Sequence, residues 1–565
     1  MAATATHTET AKDRRPSDPP GRDVDSDNKD ASSEAALPAE LISAGSQHLH
    51  RRLGGKEIQL FAVGGAIGTS LFVQMGASLP KGGPAGLFLG FVAYGSIIIA
   101  VNQCFAEMVT YLPIASPFVR LAGFWVDDAL SFAMGWNYFF LMAFNIPYEI
   151  TAIYVLLTYW TDKVPVGAVV AICLVIFAAL NGLAVRWFGT SEFYMSIFKI
   201  FLMLGLMMYT FVTMVGGNPR HDAYGFRYWN DPGAFVQHLV PGDTGRFLGV
   251  LSCMIQGSFT MVGPEFISMA AAEAENPRRL MKKAYASFVW RLMFFFIGGA
   301  LCVAIVIPYN DEMLAGYISG DKEGSGTGAA SPYVISMVHF GIKGVPDLVN
   351  ALIITSVLSA GNNVVFSAAR VLHGMAIDGK APELFAKCTR FGVPLYAVIT
   401  ALAFCLLSLL QLSKSSADVL NWLVGICTAS YLLNYFGTVV TYLHFYEALK
   451  RQGVDRKTLP YRGYLQPYAA WYALCATFVM TLVLGYNVFI DGEWDVTTFF
   501  TSYTMVGLFP VAFVFWKVVR RTKYVRPGTA DIQLGSTKSD IDLYEALYEK
   551  PKRGKVSGYL NSFFE

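Results

Sequence analysis

The sequence predicts an all-α integral membrane protein of about twelve transmembrane helices, arranged as a five-plus-five inverted repeat in which helices 1 and 6 are broken. Three observations carry this reading. Hydrophobic residues make up 54% of the 565 and charged residues only 15%, where a soluble domain carries about 25% charged residues. Apolar runs close to the roughly 20 residues that cross a bilayer recur along the chain. Two of these runs, five spans apart, are interrupted, one by Gly64-Gly65-Ala66-Ile67-Gly68-Thr69-Ser70 and the other by the segment from Gln256 to Glu265 that contains Gly263-Pro264. Interruptions at matching places in two halves mark an inverted repeat with a site between them.

Residues 1–50 are polar, rich in Ala, Asp, Glu, Ser and Pro, and lack the apolar core of a signal peptide; they read as a disordered cytosolic tail. Residues 51–520 form the membrane domain. Its first span, 57–79, is weakened at the glycine run, because glycine costs about 1 kcal/mol against alanine in a helix. Gly82-Gly83-Pro84 leads into the second span, 84–111, and Pro147 falls within the third, 129–159, where a kink beside Glu149 is expected. The fourth and fifth spans cover 165–185 and 193–216. The sixth, 247–272, breaks at Gly263-Pro264, since proline removes a backbone donor. Spans 285–308, 346–376, 395–412 and 420–445 complete the second repeat, and 467–490 and 497–520 are additional. The apolar stretch 331–342 is too short to cross and reads as a helix on an outer loop. Residues 521–565 form a second polar, cytosolic tail.

The formal net charge is only +2, so its distribution matters more than its sum. Loops on one side carry Arg278, Arg279, Lys282, Lys283, Lys380, Lys387, Lys450, Arg451, Arg456, Lys457 and Arg462, while the opposite loops carry fewer basic residues over greater length. The positive-inside rule places both termini in the cytoplasm, and Arg51, Arg52 and Lys56 before the first span agree. Seven of the eight cysteines fall in apolar spans with no CxxC spacing, and the set reads as small buried hydrophobes rather than disulfides or metal ligands. Neither Gly82-Gly83-Pro84-x-Gly86 nor the first glycine run ends in Gly-Lys-Ser/Thr or follows a strand, which argues against a phosphate loop. The spread of basic residues over membrane loops argues against nucleic-acid binding. No catalytic constellation, resident cofactor or metal is expected.

A broken backbone is tolerated in hydrocarbon only where protein or a water-filled cavity satisfies it. The first N–H groups of a half-helix then suit a carboxylate. The competing reading of Gly64 and Gly68 is a small-xxx-small packing face. Ionisable residues at membrane depth are functional candidates, here Glu107, Glu149, Lys199 and Glu265, and their alternative is a buried structural pair or a group reaching the interface. Glu107 lies near the inner end of its span, where support of the fold or gating fits better than substrate contact.

Several segments resemble the amino acid permeases of fungi, in the amino acid–polyamine–organocation superfamily. The glycine run from Gly64 is similar to the family's first-helix signature, and Gly82-Gly83-Pro84, Glu107-Met108, Gly135-Trp136-Asn137-Tyr138 and Pro147-x-Glu149 match its next helices. Glu273-Ala274-Glu275-Asn276-Pro277-Arg278 resembles its inner loop after helix 6, and Ser359-Ala360-Gly361-Asn362-Asn363 with Arg370, then Gly379-Lys380-Ala381-Pro382, resemble helix 8 and its loop. The resemblance spans residues 50 to 525. It implies a LeuT-like fold and proton-driven uptake of an amino acid across the plasma membrane, with protons as the coupling ion. It places the substrate carboxylate on Ala66, Ile67, Gly68, Thr69 and Ser70, and the ammonium and side chain against an unwound part of helix 6 formed by Phe259, Thr260, Met261, Val262 and Gly263. Glu265, directly after the break, is a further candidate for substrate contact by its position. Phe259, otherwise a core aromatic, would act as a gate. Lys199 is similar in position to a lysine that takes the place of sodium in some bacterial relatives, so Lys199, Glu149 and Glu265 are the proton-coupling candidates. Two positions depart from the pattern: Ser70 stands where glycine is usual and Pro264 where threonine is usual. The alternatives are transport of a polyamine, choline-like or carnitine-like cation, and an amino acid sensor without flux.

Overall fold

The computed structural model describes residues 54–55, 58–59, 65, 67–161, 163–182, 185–319, 331–389 and 391–547. The expected N-terminal tail, Arg51, Arg52, Lys56, Gly64, Ala66 and the end of the second tail from 548 lie outside the described residues. Among the described residues, nine helices are long and apolar enough to cross a membrane, and two shorter apolar helices accompany them. One of the nine, Ser70–Tyr111, turns a corner at Gly83 (φ 72°) into two arms, α1 (70–82) and α2 (84–111). With that corner counted, the helices match the expected spans one for one. They continue as α3 (Asp128–Leu157), α4 (Val166–Gly182), α5 (Val185–Met214), α6a (Gly242–Thr260), α6b (Pro264–Met269) and α7 (Pro277–Val306). The rest are α8 (Val345–Ile377), α9 (Leu395–Leu412), α10 (Ser416–Arg451), α11 (Tyr468–Val483) and α12 (Val496–Arg520). The apolar stretch after Ser331 forms the short helix Pro332–His339.

Local chemistry sets the breaks. Gly83 has the left-handed φ that favours glycine, and a Cβ there would lie 2.8 Å from the Ala234 carbonyl. In the sixth span the helix persists through Phe259 and Thr260, two residues further than expected, because the Met261 N–H still finds the Gly257 carbonyl at 2.8 Å. The break is confined to Met261–Gly263. Gly263 adopts φ 151°, and Pro264, which has no N–H to leave unpaired, opens α6b. The third span stays helical over Pro147, whose carbonyl accepts from the Thr151 hydroxyl at 2.8 Å. Two starts were also misplaced. α5 begins at Val185, not 193, because Arg186 and Glu192 read as loop charges. α7 begins at Pro277, so Arg278, Lys282 and Lys283 lie on a helix. Of the cysteines, Cys475 departs from the expected burial, since it sits on the outward face of α11.

The two repeats meet where α2 crosses α6a, and small residues allow it. A Cβ at Gly90 would lie 2.7 Å from the Cys253 Cβ and 2.8 Å from the Met254 nitrogen, and one at Gly249 would lie 2.6 Å from the Lys81 carbonyl. Such close backbone approach is how membrane helices gain dispersion energy without a hydrophobic drive.

The end of the bundle that carries the basic loops is closed by buried charge pairs. Arg370 of α8 bonds Glu273 beyond α6b at 2.7 Å, with both side chains buried. Arg120 grips Asp378 with Nε at 2.9 and 3.0 Å from its two oxygens, and Lys380 bonds Asp128 at 2.8 Å. Glu107, fully buried, accepts from Tyr442 at 2.7 Å, from the Gly463 N–H at 2.6 Å and from Arg456. That arrangement ties α2 to α10 and to the loop beyond it. Asp127 caps α3 and also holds Thr522 and Lys517. Burial works against its charge, but the bonds from Lys517, Thr522 and the Ala129 N–H outweigh it and keep the carboxyl below the usual range.

The α2–α6a crossing predicts an asymmetry between glycines. Gly90→Leu overpacks a backbone contact, a class of change that costs about 1–3 kcal/mol, and is expected to lower the apparent melting temperature in detergent by several degrees. Gly205→Leu, on an outward face with nothing within 4 Å, is expected to leave it unchanged. Equal melting of the two variants refutes the crossing.

Candidate functional site

The second half of the first span starts at Thr69 and Ser70 with a wide π-type turn over Ser70–Gln74. The Leu71 and Phe72 N–H groups both turn back to the Gly68 carbonyl, at 3.2 and 3.4 Å. The N–H groups before them are the ones for which a helix start supplies no intrahelical acceptor. Thr69 is fully buried, and its hydroxyl donates to Glu149 Oε2 at 2.6 Å. Ile67 is buried, and its carbonyl accepts from the Ser356 hydroxyl at 3.5 Å, the long limit of such a bond. The break therefore sits between α3 and α8. Gly68 serves both readings open at the sequence level: a Cβ there would lie 2.7 Å from the Ala360 Cβ and 3.6 Å from Glu149 Oε1. Its small size sets the α1–α8 packing as well as the space beside the carboxylate. Ser70 is only partly buried.

Lys199 is buried on α5, and the charges of Glu192 and Glu149 both act on it. Glu192, two turns earlier on the same helix, accepts from Ser196 at 3.0 Å and from Ser359 of α8 at 2.5 Å. Next to this cluster Asn181 of α4 donates to Asn362 at 2.7 Å. Helices α3 and α5 thus bring two carboxylates and one ammonium to the flank of the α1 break, and α8 adds the Ser359 hydroxyl.

The α6 break meets the α1 break directly. The Phe266 ring of α6b lies against Gly65, where an added Cβ would fall 2.8 Å from the ring. Phe259 is buried and packs edge-on to Tyr148, with centroids 5.1 Å apart, and then to Tyr431 of α10 at 6.5 Å. Tyr431 lies in the fields of both Glu149 and Glu265. Glu265 is buried, accepts from the Gly263 N–H at 3.1 Å and from the Tyr435 hydroxyl at 2.8 Å, and so staples the break to α10. Tyr94, Tyr138 and Tyr285 also feel its charge. Not every expected residue faces this space. The Thr260 hydroxyl bonds its own helix at Gln256 (3.0 Å), and the Met261 sulfur lies toward Gly95 of α2. Val262 is buried at the break.

Chemically, the arrangement offers half-helix N–H groups to an anion, carbonyls and the Glu265 carboxylate to a cation, and aromatic walls to a side chain. It contains four buried ionisable groups: Glu149, Glu192, Lys199 and Glu265. Sequence reasoning missed Glu192, Phe266, Tyr431 and Tyr435. Glu192 was findable: its seven-residue spacing from Lys199 puts both on one helix face, and only the misplaced start of the fifth span hid it. Nothing in the sequence set the three aromatics apart from packing residues.

A family model described as amino acid permease matches residues 57–526. The general amino acid permease AGP2 of Saccharomyces cerevisiae is 40% identical over 508 residues, covering 88% of this chain and 85% of its own. The proline-specific permease of Emericella nidulans is 39% identical over 495 residues, covering 87% of this chain and 89% of its own. The dicarboxylic amino acid permease of Saccharomyces cerevisiae is 32% identical over 506 residues, covering 89% and 81%. With a match over most of its length and a membrane-spanning bundle broken in the first and sixth spans, the chain belongs to the amino acid permease family.

Proposed function

We propose that the protein is a proton-coupled importer of an amino acid at the plasma membrane, with its basic end and both tails in the cytoplasm. The observation that carries this is the meeting of the α1 and α6 breaks beside the Glu149–Lys199–Glu192 cluster. The substrate carboxylate binds the N–H groups at Ile67 to Ser70, and the ammonium binds the carbonyls of the α6 break and Glu265. The side chain lies against Phe259, Tyr148 and Tyr431. Protonation changes in the cluster then couple substrate binding to the proton gradient. Relatives named for proline, dicarboxylic and lysine transport share the framework, so the wall of the pocket, not the cradle, sets the side-chain class. The Glu265 carboxylate, bonded only by neutral donors among the described contacts, also favours a second reading, transport of an organic cation such as a polyamine or a choline-like compound. Uptake of a panel of labelled amino acids, polyamines and choline in cells stripped of their own permeases separates the two.

Proton coupling predicts that uptake rises as the external pH falls from about 7 to 5, collapses with a protonophore and is indifferent to sodium. A strict sodium requirement with no protonophore effect replaces the mechanism with sodium symport.

Gly68→Leu is expected to abolish uptake at a normal surface level. The loss has two components, the cradle and the contact with Ala360. Ala360→Gly added to Gly68→Ala relieves only the second, so full recovery of uptake in that pair assigns the role of Gly68 to packing.

Lys199→Arg keeps a charge that does not dissociate and is expected to remove concentrative uptake. Lys199→Ala is expected to retain counterflow down a gradient without pH dependence. Concentration by Lys199→Arg with the parental pH profile makes Lys199 structural and moves the coupling proton to Glu149 or Glu265.

A further inference from the structure

The segment after α12 is polar in sequence, yet it lies as a strap along the basic end of the bundle. The Val525 N–H donates to the Val126 carbonyl at 2.8 Å, and the Trp125 indole donates to the Asp531 carbonyl at 3.1 Å. Gln452, just past α10, donates to the carbonyls of Pro527 (3.2 Å) and Ala530 (2.8 Å). Ala530, Ile532 and Ile541 are buried. The strap ends in a helix, α13 (Thr537–Leu547). There Arg278, at the start of α7, bonds Asp542 at 2.5 Å and Glu545 at 3.2 Å, and the Tyr544 hydroxyl donates to the Glu275 carbonyl at 2.9 Å. Arg278 is 12% exposed, so these are partly desolvated pairs. Partial burial of Asp542 opposes its charge, but hydrogen bonds from Lys538 and Arg278 outweigh it and hold the carboxyl below its ordinary value. It stays ionised at neutral pH.

The two anchors of the strap lie on different parts of the bundle. One is the segment from Glu275 to Arg278, which follows α6b and the buried Glu273–Arg370 pair. The other is the start of α3 and the end of α10. Opening the site toward this end requires the continuation of the broken helix to part from α3, α8 and α10, and the strap spans that seam. It must stretch or release before the seam opens.

We propose that residues 521–547 form an intramolecular latch that holds the inner side of the transporter closed and is released when α13 leaves Arg278. The latch sets the rate of inward opening. It adds nothing to substrate binding. It rests on the reading that this end faces the cytoplasm.

The test uses the full chain carrying Ser116→Cys and Cys388→Ser. Ser116 is buried at the closed seam, with its hydroxyl bonded to the Arg370 carbonyl at 3.1 Å. Inside-out vesicles expose this reporter to an impermeant thiol reagent. In that background, Asp542→Asn with Glu545→Gln removes the ionic anchor, and Tyr544→Phe separately removes the neutral one. Each is expected to speed labelling of the reporter, and the double charge variant by about two- to fivefold, the range of one or two partly buried ion pairs. Counterflow is expected to accelerate in parallel, with the half-saturating substrate concentration unchanged. Labelling at the parental rate in both variants overturns the latch, as does slower labelling. A tag at the C-terminus, probed in sealed and in permeabilised cells, tests the orientation separately. A tag accessible in sealed cells overturns the topology and the latch together, whereas a protected tag with unchanged labelling overturns the latch alone.

Discussion

In hydrocarbon an unpaired backbone N–H or carbonyl costs several kcal/mol, and two breaks in mid-bundle raise that problem at adjacent points. The structure answers it with side chains from intact helices. Ser356 of α8 reaches the Ile67 carbonyl, Glu149 of α3 takes the Thr69 hydroxyl, and Glu265 takes the Gly263 N–H while α10 holds its other oxygen through Tyr435. The breaks are therefore defined by α3, α8 and α10, and any motion of these helices changes what the breaks offer to a ligand. Binding and conformational change are linked by this constraint before any ion is considered.

The ionisable groups follow from the same constraint. A lone charge at this depth is expensive, so Lys199 lies between the fields of Glu192 and Glu149. Glu149 is also the residue that holds Thr69 at the start of the half-helix. A change in the protonation of Glu149 bears directly on the hydrogen bond that holds Thr69 at the α1 break.

Much of this was readable in the sequence because membrane rules are stringent. Twelve spans, the Gly83 corner and the two breaks follow from runs of apolar residues and from Gly and Pro, whose effects are local. What was not readable depended on neighbours. Charge made the fifth and seventh spans look too short: Arg186, Glu192, Arg278 and Lys282 all sit on helices, where Ser359 meets Glu192 and Asp542 meets Arg278. Pro147 lies inside α3, and what surrounds it depends on neighbours: its carbonyl accepts from Thr151 at 2.8 Å and from Ser408 of α9 at 3.4 Å. Tyr435 and Phe266 gain meaning only from facing Glu265 and Gly65 across the bundle, and no spacing along the chain encodes that.

The two breaks are also unequal, and the inequality has a direction. The α1 break is held by a carboxylate from a distant helix, Glu149, whereas the α6 break is held by Glu265, two residues past Gly263 in the same segment. Protonating Glu149 leaves Thr69 an acceptor that has lost its charge, so the tie between α1 and α3 weakens. Protonating Glu265 leaves the Gly263 turn intact, because proline at 264 and φ 151° at 263 define it covalently and sterically. On the proposed reading, proton exchange at the first break weakens the Thr69–Glu149 tie between α1 and α3, and exchange at the second weakens the Tyr435–Glu265 tie between α10 and α6b while the Gly263 turn itself persists. Both breaks thus tie a carboxylate to a hydroxyl on another helix, but among the described contacts only the carboxylate of the second also takes a backbone N–H of its own turn.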